Sequence, residues 1–128
     1  MKGTVEIAII AHDNKKADMV QFLIKNRTIL EDKSVKFIAT GLLGKNAEKS
    51  DFKVIKLLPC SMGGDAQIAS RVAEGKIKIV LFFKDPLASH AHGVDISMLV
   101  RICDVHNVPL ATNEATAQLL LNAIAQQL

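Results

Sequence analysis

The sequence predicts a single-domain α/β protein with a doubly wound, mainly parallel five-stranded sheet between two layers of helices. Short apolar segments rich in Ile and Val alternate with segments of helical periodicity, which is typical of this Rossmann-like, three-layer class. The 128 residues are the usual length of one domain. No linker, internal repeat or low-complexity stretch interrupts the chain, so we predict one domain over residues 1–128.

Each element follows from its residues. The predicted strands are residues 5–11, 36–39, 52–58, 77–83 and 108–111. Helical patterns begin near residues 15, 45, 65, 96 and 114. The strand at 77–83 is almost wholly apolar, so we expect it at the centre of the sheet. In the first helix we expect Asn26 on the polar side, and we expect residues 40–44 to form a glycine-punctuated loop. Gly75 and Asn113 are expected to end one helix and cap another.

The composition excludes several classes of partner. The formal net charge of +3 is mild, and the absence of Trp and Tyr argues against a stacking surface for nucleic acid. Apolar runs such as Ile79–Phe83 are far too short to span a bilayer. Cys60 and Cys103 lie far apart without metal-ligand spacing, and no signal peptide is recognisable. We therefore expect a cytoplasmic protein that acts without nucleic acid or membrane.

Polar residues and glycines collect directly after the predicted strands. In a parallel sheet these positions share the carboxyl edge, where such folds bind their ligands. The groups are His12-Asp13, Thr40-Gly41, Gly63-Gly64-Asp65, the segment from His90 to Asp95, and Thr112-Asn113. Carboxylates crowded beside imidazoles suit proton abstraction, and glycine loops at helix N-termini suit an anion such as phosphate. The sequence therefore predicts a ligand site at this edge.

Each of these residues also has a simpler interpretation. Asp65 can be an N-cap after a glycine turn, and Lys16 can be a solvated surface lysine. Cys60 fits a small apolar filler better than a nucleophile, because no neighbouring motif marks a base for it. The His90-x-His92 pair lacks nearby cysteines at a suitable spacing, so we predict no metal site.

The motifs together resemble the methylglyoxal synthase family. The matching segments are Ala11-His12-Asp13-x-x-Lys16, Ala39-Thr40-Gly41, Met62-Gly63-Gly64-Asp65-x-Gln67, Phe82-Phe83-x-Asp85-Pro86-Leu87, His92-x-x-Asp95 and Pro109-Leu110-Ala111-Thr112-Asn113. They are collinear over essentially the whole chain. The resemblance implies a methylglyoxal synthase-like fold and a cytosolic homohexameric lyase that needs no cofactor or metal. Such an enzyme converts dihydroxyacetone phosphate through an enediolate into methylglyoxal and phosphate.

The resemblance also implies roles for individual residues. Asp65 matches the general base, and His92 matches the imidazole that polarises the substrate oxygens. Asp95 and Asp13 match supporting carboxylates. The implied substrate and phosphate contacts are His12, Lys16, Thr40, Gly41, Leu42, Leu43, Gly63 and His92.

Two departures from the family pattern affect the phosphate contacts. The family reads Thr-Gly-Thr-Thr-Gly where this chain has Thr40-Gly41-Leu42-Leu43-Gly44, so two hydroxyl donors become hydrocarbon. The family's Ser-Gly is replaced by Pro59-Cys60, and proline supplies no N–H. Some members also carry an arginine near the C-terminus, which the last predicted helix lacks. An alternative is therefore a non-catalytic or altered-specificity domain that binds a small anionic metabolite.

Overall fold

A computed structural model of the chain describes residues 4–87 and 96–128. Within them five parallel strands form one sheet in the order β3-β2-β1-β4-β5. The strands are β1 (Val5–Ala11), β2 (Val35–Thr40), β3 (Val54–Leu57), β4 (Ile77–Phe83) and β5 (Leu110–Ala111). The predicted fold class is confirmed.

The helices follow the strands and cover both faces of the sheet. They are α1 (Lys16–Lys25), α2 (Arg27–Leu30), α3 (Gly41–Lys49), α4 (Gly64–Ala73), α5 (Ile96–Val105) and α6 (Glu114–Ala125). Short 3₁₀ turns at Asp13–Lys15 and Cys60–Met62 precede α1 and α4. The chain therefore alternates strand and helix, as parallel pairing requires.

The hydrophobic core forms two layers because successive strand side chains point to opposite faces. Ile7 and Ile9 of β1 belong to the layer covered by α1, α2, α3 and α6. Ala8 and Ile10 belong to the layer covered by α4 and α5. The β1 side chains that point into the two layers are fully buried, so helices cover both faces of the sheet at this strand.

The structure corrects four local predictions. The central strand is β1, and β4 lies beside it. Helix α3 begins at Gly41, so the predicted loop at 40–44 is wrong. Strands β3 and β5 are shorter than predicted, and Phe52 packs edge-on against Phe37 from outside its strand. Asn26 is buried and does not lie on the polar side. Its amide is satisfied there by hydrogen bonds to the Phe22 carbonyl and to Gln118 on α6.

The predicted helix ends at Gly75 and Asn113 are confirmed. Gly75 follows α4 with φ +77°, the left-handed region that glycine adopts without strain. The Asn113 side chain accepts a hydrogen bond from the Thr116 backbone N–H at 2.9 Å, as an N-cap does.

Residues 4–87 and 96–128 contain neither a membrane span nor a metal cluster. No helix among them is long and apolar enough to cross a membrane. No group of three or more His, Cys, Asp or Glu side chains among them is arranged to hold a metal ion.

Candidate active site at the carboxyl edge of the sheet

The strand register brings the predicted polar groups to one edge. Ala11 of β1 pairs with Phe83 of β4, and Thr40 of β2 pairs with Leu57 of β3. The residues that follow these four strand ends therefore begin at the same level of the sheet. This confirms that the segments after β1, β2, β3 and β4 share the carboxyl edge.

The turn between β3 and α4 is rigid and needs both glycines. The Pro59 carbonyl accepts hydrogen bonds from the backbone N–H groups of Met62 and Gly64, each at 2.9 Å. Gly63 has φ +102°, a conformation that disfavours any side chain. A Cβ on Gly64 would lie 1.9 Å from the Leu58 carbonyl oxygen. The turn therefore fixes where α4 begins.

Asp65 lies in the first turn of α4 with only 8% of its surface exposed. Its carboxylate accepts a hydrogen bond from the Ala66 backbone N–H at 2.8 Å. The positive end of the helix dipole favours a negative charge at this position. Gly63, not Asp65, occupies the N-cap position, so the interpretation of Asp65 as a simple N-cap is wrong. The turn instead presents a buried carboxylate at the ligand edge.

His12 follows β1 and is also buried. Its Nδ1 accepts a hydrogen bond from the Asp85 backbone N–H at 2.8 Å. Because Nδ1 is the acceptor, the neutral ring carries its proton on Nε2. The ring packs edge-on against Phe82 with centroids 5.0 Å apart. These contacts orient His12 as a hydrogen-bond donor.

Asp13 and Lys16 form an ion pair one helical turn apart. Lys16 Nζ lies 2.9 Å from an Asp13 carboxylate oxygen, and the Asp13 side chain is 92% exposed. Most of the Lys16 side chain is covered. The ammonium therefore sits between solvent and the sheet edge, and Asp13 lies on its outer side. The structure brings Lys16 to the site more directly than Asp13.

The N-terminus of α3 supplies backbone donors. Thr40 occupies the N-cap position, and within the described residues its side chain does not cap the first turn. The N–H groups of Gly41, Leu42 and Leu43 have no partner within the helix. Leu42 is 59% exposed, whereas Leu43 is fully buried in the core. These leucines can therefore contribute backbone N–H groups to an anion but no polar side chain.

Cys60, in the turn before α4, contacts Thr40 at the end of β2. Its Sγ lies 3.6 Å from the Thr40 hydroxyl. Burial is the main cause that raises the pKa of the Cys60 thiol; the Thr40 hydrogen bond lowers it, the Asp65 charge raises it, and the Lys16 charge lowers it. Thr40 ends β2, Lys16 follows β1 and Asp65 follows β3, so all three belong to the same edge of the sheet. Cys60 packs partly buried against the core layer under α4 and α5, as the filler interpretation predicts, but its contact with Thr40 was not predicted.

Asp85 belongs to the site region. Asp85 follows β4, where its carboxylate accepts hydrogen bonds from Asn14 Nδ2 and from the Leu87 backbone N–H, both at 3.0 Å. The sequence signal for Asp85 is its place directly after a strand in an Asp-Pro pair, which is typical of a turn. His92 and Asp95, together with His90, lie outside the described residues. Their roles stay predictions.

The comparisons with known proteins identify the family of the chain. A family model described as an MGS-like domain matches residues 18–112. The fold and the carboxyl-edge site thus define an MGS-like protein. His12, Asp13 and Lys16 precede the matched range.

Relatives that carry a specific name extend the match over nearly the whole chain. The methylglyoxal synthase of Borreliella afzelii (strain PKo) is 46% identical over 120 residues, 93% of each chain. That of Clostridium botulinum (strain Alaska E43 / Type E3) is 44% identical over 118 residues, 91% of this chain and 98% of the relative. The crystal structure of methylglyoxal synthase from Elizabethkingia anophelis NUHP1 matches with a TM-score of 0.86 and 37% identity. It covers 92% of this chain and 77% of that one.

The chain belongs to the methylglyoxal synthase family. The resemblance predicted from its motifs is confirmed, and the names of the relatives agree with the predicted lyase activity.

Proposed function

We propose that this protein is a methylglyoxal synthase, a carbon–oxygen lyase that converts dihydroxyacetone phosphate into methylglyoxal and phosphate. The observation that carries the proposal is the buried Asp65 carboxylate in the first turn of α4. Lys16 follows β1 and Thr40 ends the neighbouring strand β2, at the same edge of the sheet as the turn that carries Asp65. A base beside a cation and hydroxyl donors is the arrangement that deprotonation next to a phosphate ester needs.

In the proposed reaction Asp65 removes a proton from the substrate carbon that bears the hydroxyl group. The electron pair moves into an enediolate, whose collapse breaks the carbon–oxygen bond to phosphate. The resulting enol takes up a proton to give methylglyoxal. The Nε2–H of His12 is suited to donate to a substrate oxygen, because Asp85 holds the opposite ring nitrogen as an acceptor. From the family resemblance we propose that His92 polarises the substrate oxygens, and that Asp95 and Asp13 support the proton transfers.

The anionic end of the substrate is proposed to lie against Lys16 and the N-terminus of α3. Helix N-termini bind anions through their unpaired N–H groups and the helix dipole. Gly63 leaves open space, because no described atom outside its own neighbours lies within 4 Å of a Cβ built there. A threonine hydroxyl at position 42 or 43 that reached a charged phosphate oxygen would contribute about 1.5–3 kcal/mol, and leucine has no such group. We therefore expect weaker substrate binding than in relatives with threonines there.

The direct test is product analysis with the purified protein. Incubation with dihydroxyacetone phosphate should release methylglyoxal and inorganic phosphate in equal amounts. Release of neither product contradicts the proposal.

The alternative is a non-catalytic or altered-specificity domain that binds a small anionic metabolite. It is not favoured, because relatives with the synthase name align with more than nine-tenths of the chain. Thermal shift with inorganic phosphate separates the two: stabilisation together with turnover supports the lyase, and stabilisation without turnover supports the alternative.

We also propose a cytoplasmic homohexamer. Large apolar side chains are exposed around the carboxyl edge, and Leu87 is 95% exposed. The others are Leu42, Leu58 and Met62. A neighbouring subunit that covered them would bury apolar surface that a monomer leaves in water. A reducing compartment suits the two free thiols. Light scattering during size-exclusion chromatography tests the hexamer, and a monomer mass at micromolar concentration contradicts it.

A further inference from the structure

The thiol of Cys60 lies close enough to the Thr40 hydroxyl to affect the direction of the hydroxyl proton. The Sγ atom is 3.6 Å from Thr40 Oγ1, within the range of a sulfur hydrogen bond. Thr40 is buried and Cys60 is half-buried, so little water competes for this contact.

The direction of the hydrogen bond between Cys60 and Thr40 decides where the Thr40 hydroxyl proton points. Both groups carry a proton and either can donate; in the arrangement assigned to this pair the Cys60 S–H donates and the Thr40 oxygen accepts. A threonine hydroxyl has a single proton, which it can donate to only one acceptor. When its oxygen receives the thiol proton, its own proton must point away from sulfur. Within the described residues that side chain makes no cap to α3, so the proton is available to a bound ligand.

The electrostatics keep the thiol in its donating form. Burial raises the pKa of the Cys60 thiol above its ordinary value; the Thr40 hydrogen bond and the Lys16 charge lower it, and the Asp65 charge raises it, so that the net effect is an increase. The thiol therefore stays protonated at neutral pH and places no negative charge beside an anion. A thiolate would accept the Thr40 proton instead and repel phosphate.

The backbone holds the two residues together. Gly41 has φ +54°, and a Cβ built on it would lie 3.3 Å from the Pro59 Cα. This close approach seats the turn that carries Cys60 against the first turn of α3. Pro59 also fixes the turn by accepting two backbone hydrogen bonds. The contact between Cys60 and Thr40 thus follows from rigid parts of the site.

We propose that Cys60 is a positioning residue that orients the Thr40 hydroxyl toward the phosphoryl group of the substrate. The inference rests on the proposed function for the identity of the ligand. In the segment from Thr40 to Gly44, Thr40 carries the only side-chain hydroxyl. Its orientation therefore matters more here than in a site with further hydroxyl donors.

The test measures the binding of inorganic phosphate by isothermal titration calorimetry, which does not depend on turnover. Cys60→Ala should raise the Kd of phosphate about threefold, the size expected from one neutral hydrogen bond. Cys60→Ser retains a donor and should stay within about twofold of wild type. In the Thr40→Val background, Cys60→Ala should have no further effect, because no hydroxyl remains to be oriented. For the lyase reaction, Cys60→Ala should raise KM by a larger factor than it lowers kcat.

Cys103→Ala is the matched control, because it removes the buried thiol of α5, apart from the site; phosphate Kd should not change. The inference is overturned if Cys60→Ala and Cys60→Ser weaken phosphate binding equally. It is also overturned if Cys60→Ala weakens phosphate binding as much in the Thr40→Val background as it does in wild type. Wild-type protein that binds no phosphate also overturns it. Wild-type protein that binds phosphate without lyase activity overturns the proposed function alone. Thermal melting of each variant verifies that it is folded.

Discussion

Gly63 and Gly64 are neighbours in the site turn, yet each lacks a side chain for a different reason. Gly63 has a left-handed backbone with open space around it, whereas Gly64 lies against the Leu58 carbonyl oxygen. Both reasons follow from the backbone path between β3 and α4. The sequence predicted a tight turn from the two glycines but cannot separate strain from close packing.

The pair therefore predicts two different substitution costs. Gly64→Ala must displace the Leu58–Pro59 backbone, so we expect a loss of about 4 kcal/mol or more in the free energy of unfolding. Gly63→Ala meets only backbone strain, with an expected loss of about 1–2 kcal/mol. Urea denaturation of both variants measures the difference. Equal losses would show that the close approach at Gly64 is not rigid.

Cys103 provides a residue-scale test through pH. Burial raises the pKa of its thiol from its ordinary value of 9.0 to about 11, and Asp104 adds to the shift. Between these values the unfolded chain loses the thiol proton while the folded chain keeps it, so stability is present below pH 9 and falls as pH rises toward 11. At about pH 10.5 the loss should be roughly 2 kcal/mol.

Other groups also titrate in this range, so Cys103→Ala is the reference. Urea denaturation under reducing conditions should show that the stability advantage of wild type over Cys103→Ala shrinks between about pH 8 and pH 10.5. An advantage that stays constant across this range contradicts the raised pKa.

Asp65 and Cys60 show how far single residues can be predicted. Asp65 was predicted because a glycine turn after a strand aims one carboxylate at a known ligand edge. The position of Cys60 was not, because its contact with Thr40 joins segments 20 residues apart. Local patterns contain no information on which side chains meet between neighbouring strand ends.

At the scale of elements, α1 and α6 are joined by a reciprocal amide pair. Asn26 Nδ2 donates to Gln118 Oε1 at 3.0 Å, and Gln118 Nε2 donates to Asn26 Oδ1 at 2.8 Å. Asn26 is buried, so without Gln118 its amide oxygen would be left unsatisfied in the interior. The pair thus fixes how the two helices pack on one face of the sheet.

This pair predicts strong coupling between two distant positions in the sequence. Asn26→Leu and Gln118→Leu should each cost about 1–3 kcal/mol of stability. The double variant should cost less than the sum, with a coupling of about 0.5–3 kcal/mol. Thermodynamic cycles from chemical denaturation measure this value. Simple additivity would mean that the amides act independently.

The start of α3 is the element that sequence patterns described least well. Glycines at positions 41 and 44 indicate a loop, because glycine disfavours helix interiors. Gly41 instead forms the first residue of the helix, where the positive φ and the contact with Pro59 require it. Gly44 is buried and packs near Lys56 of β3. Tertiary packing thus overrides local propensity at the segment that is proposed to hold phosphate.

At the scale of the whole molecule, the parallel sheet explains why the edge that carries the candidate site could be predicted. Strand-then-helix order places every strand end at the same edge, so the functional groups assemble without any knowledge of strand order. Strand order itself depends on long-range pairing, and the apolar content of β4 wrongly suggested the central place that β1 occupies. The sequence therefore predicts the edge at which ligands bind, but only the structure shows which groups are neighbours.

The central claim is that Asp65 is the base of a methylglyoxal-forming lyase. The most direct measurement compares methylglyoxal release from dihydroxyacetone phosphate by wild type and by Asp65→Asn, with phosphate binding verified in both. Asn keeps the size of the side chain but cannot accept the proton, so we predict that release falls by about a hundredfold or more while phosphate still binds. Full activity in Asp65→Asn, or no release by wild type, would contradict the account.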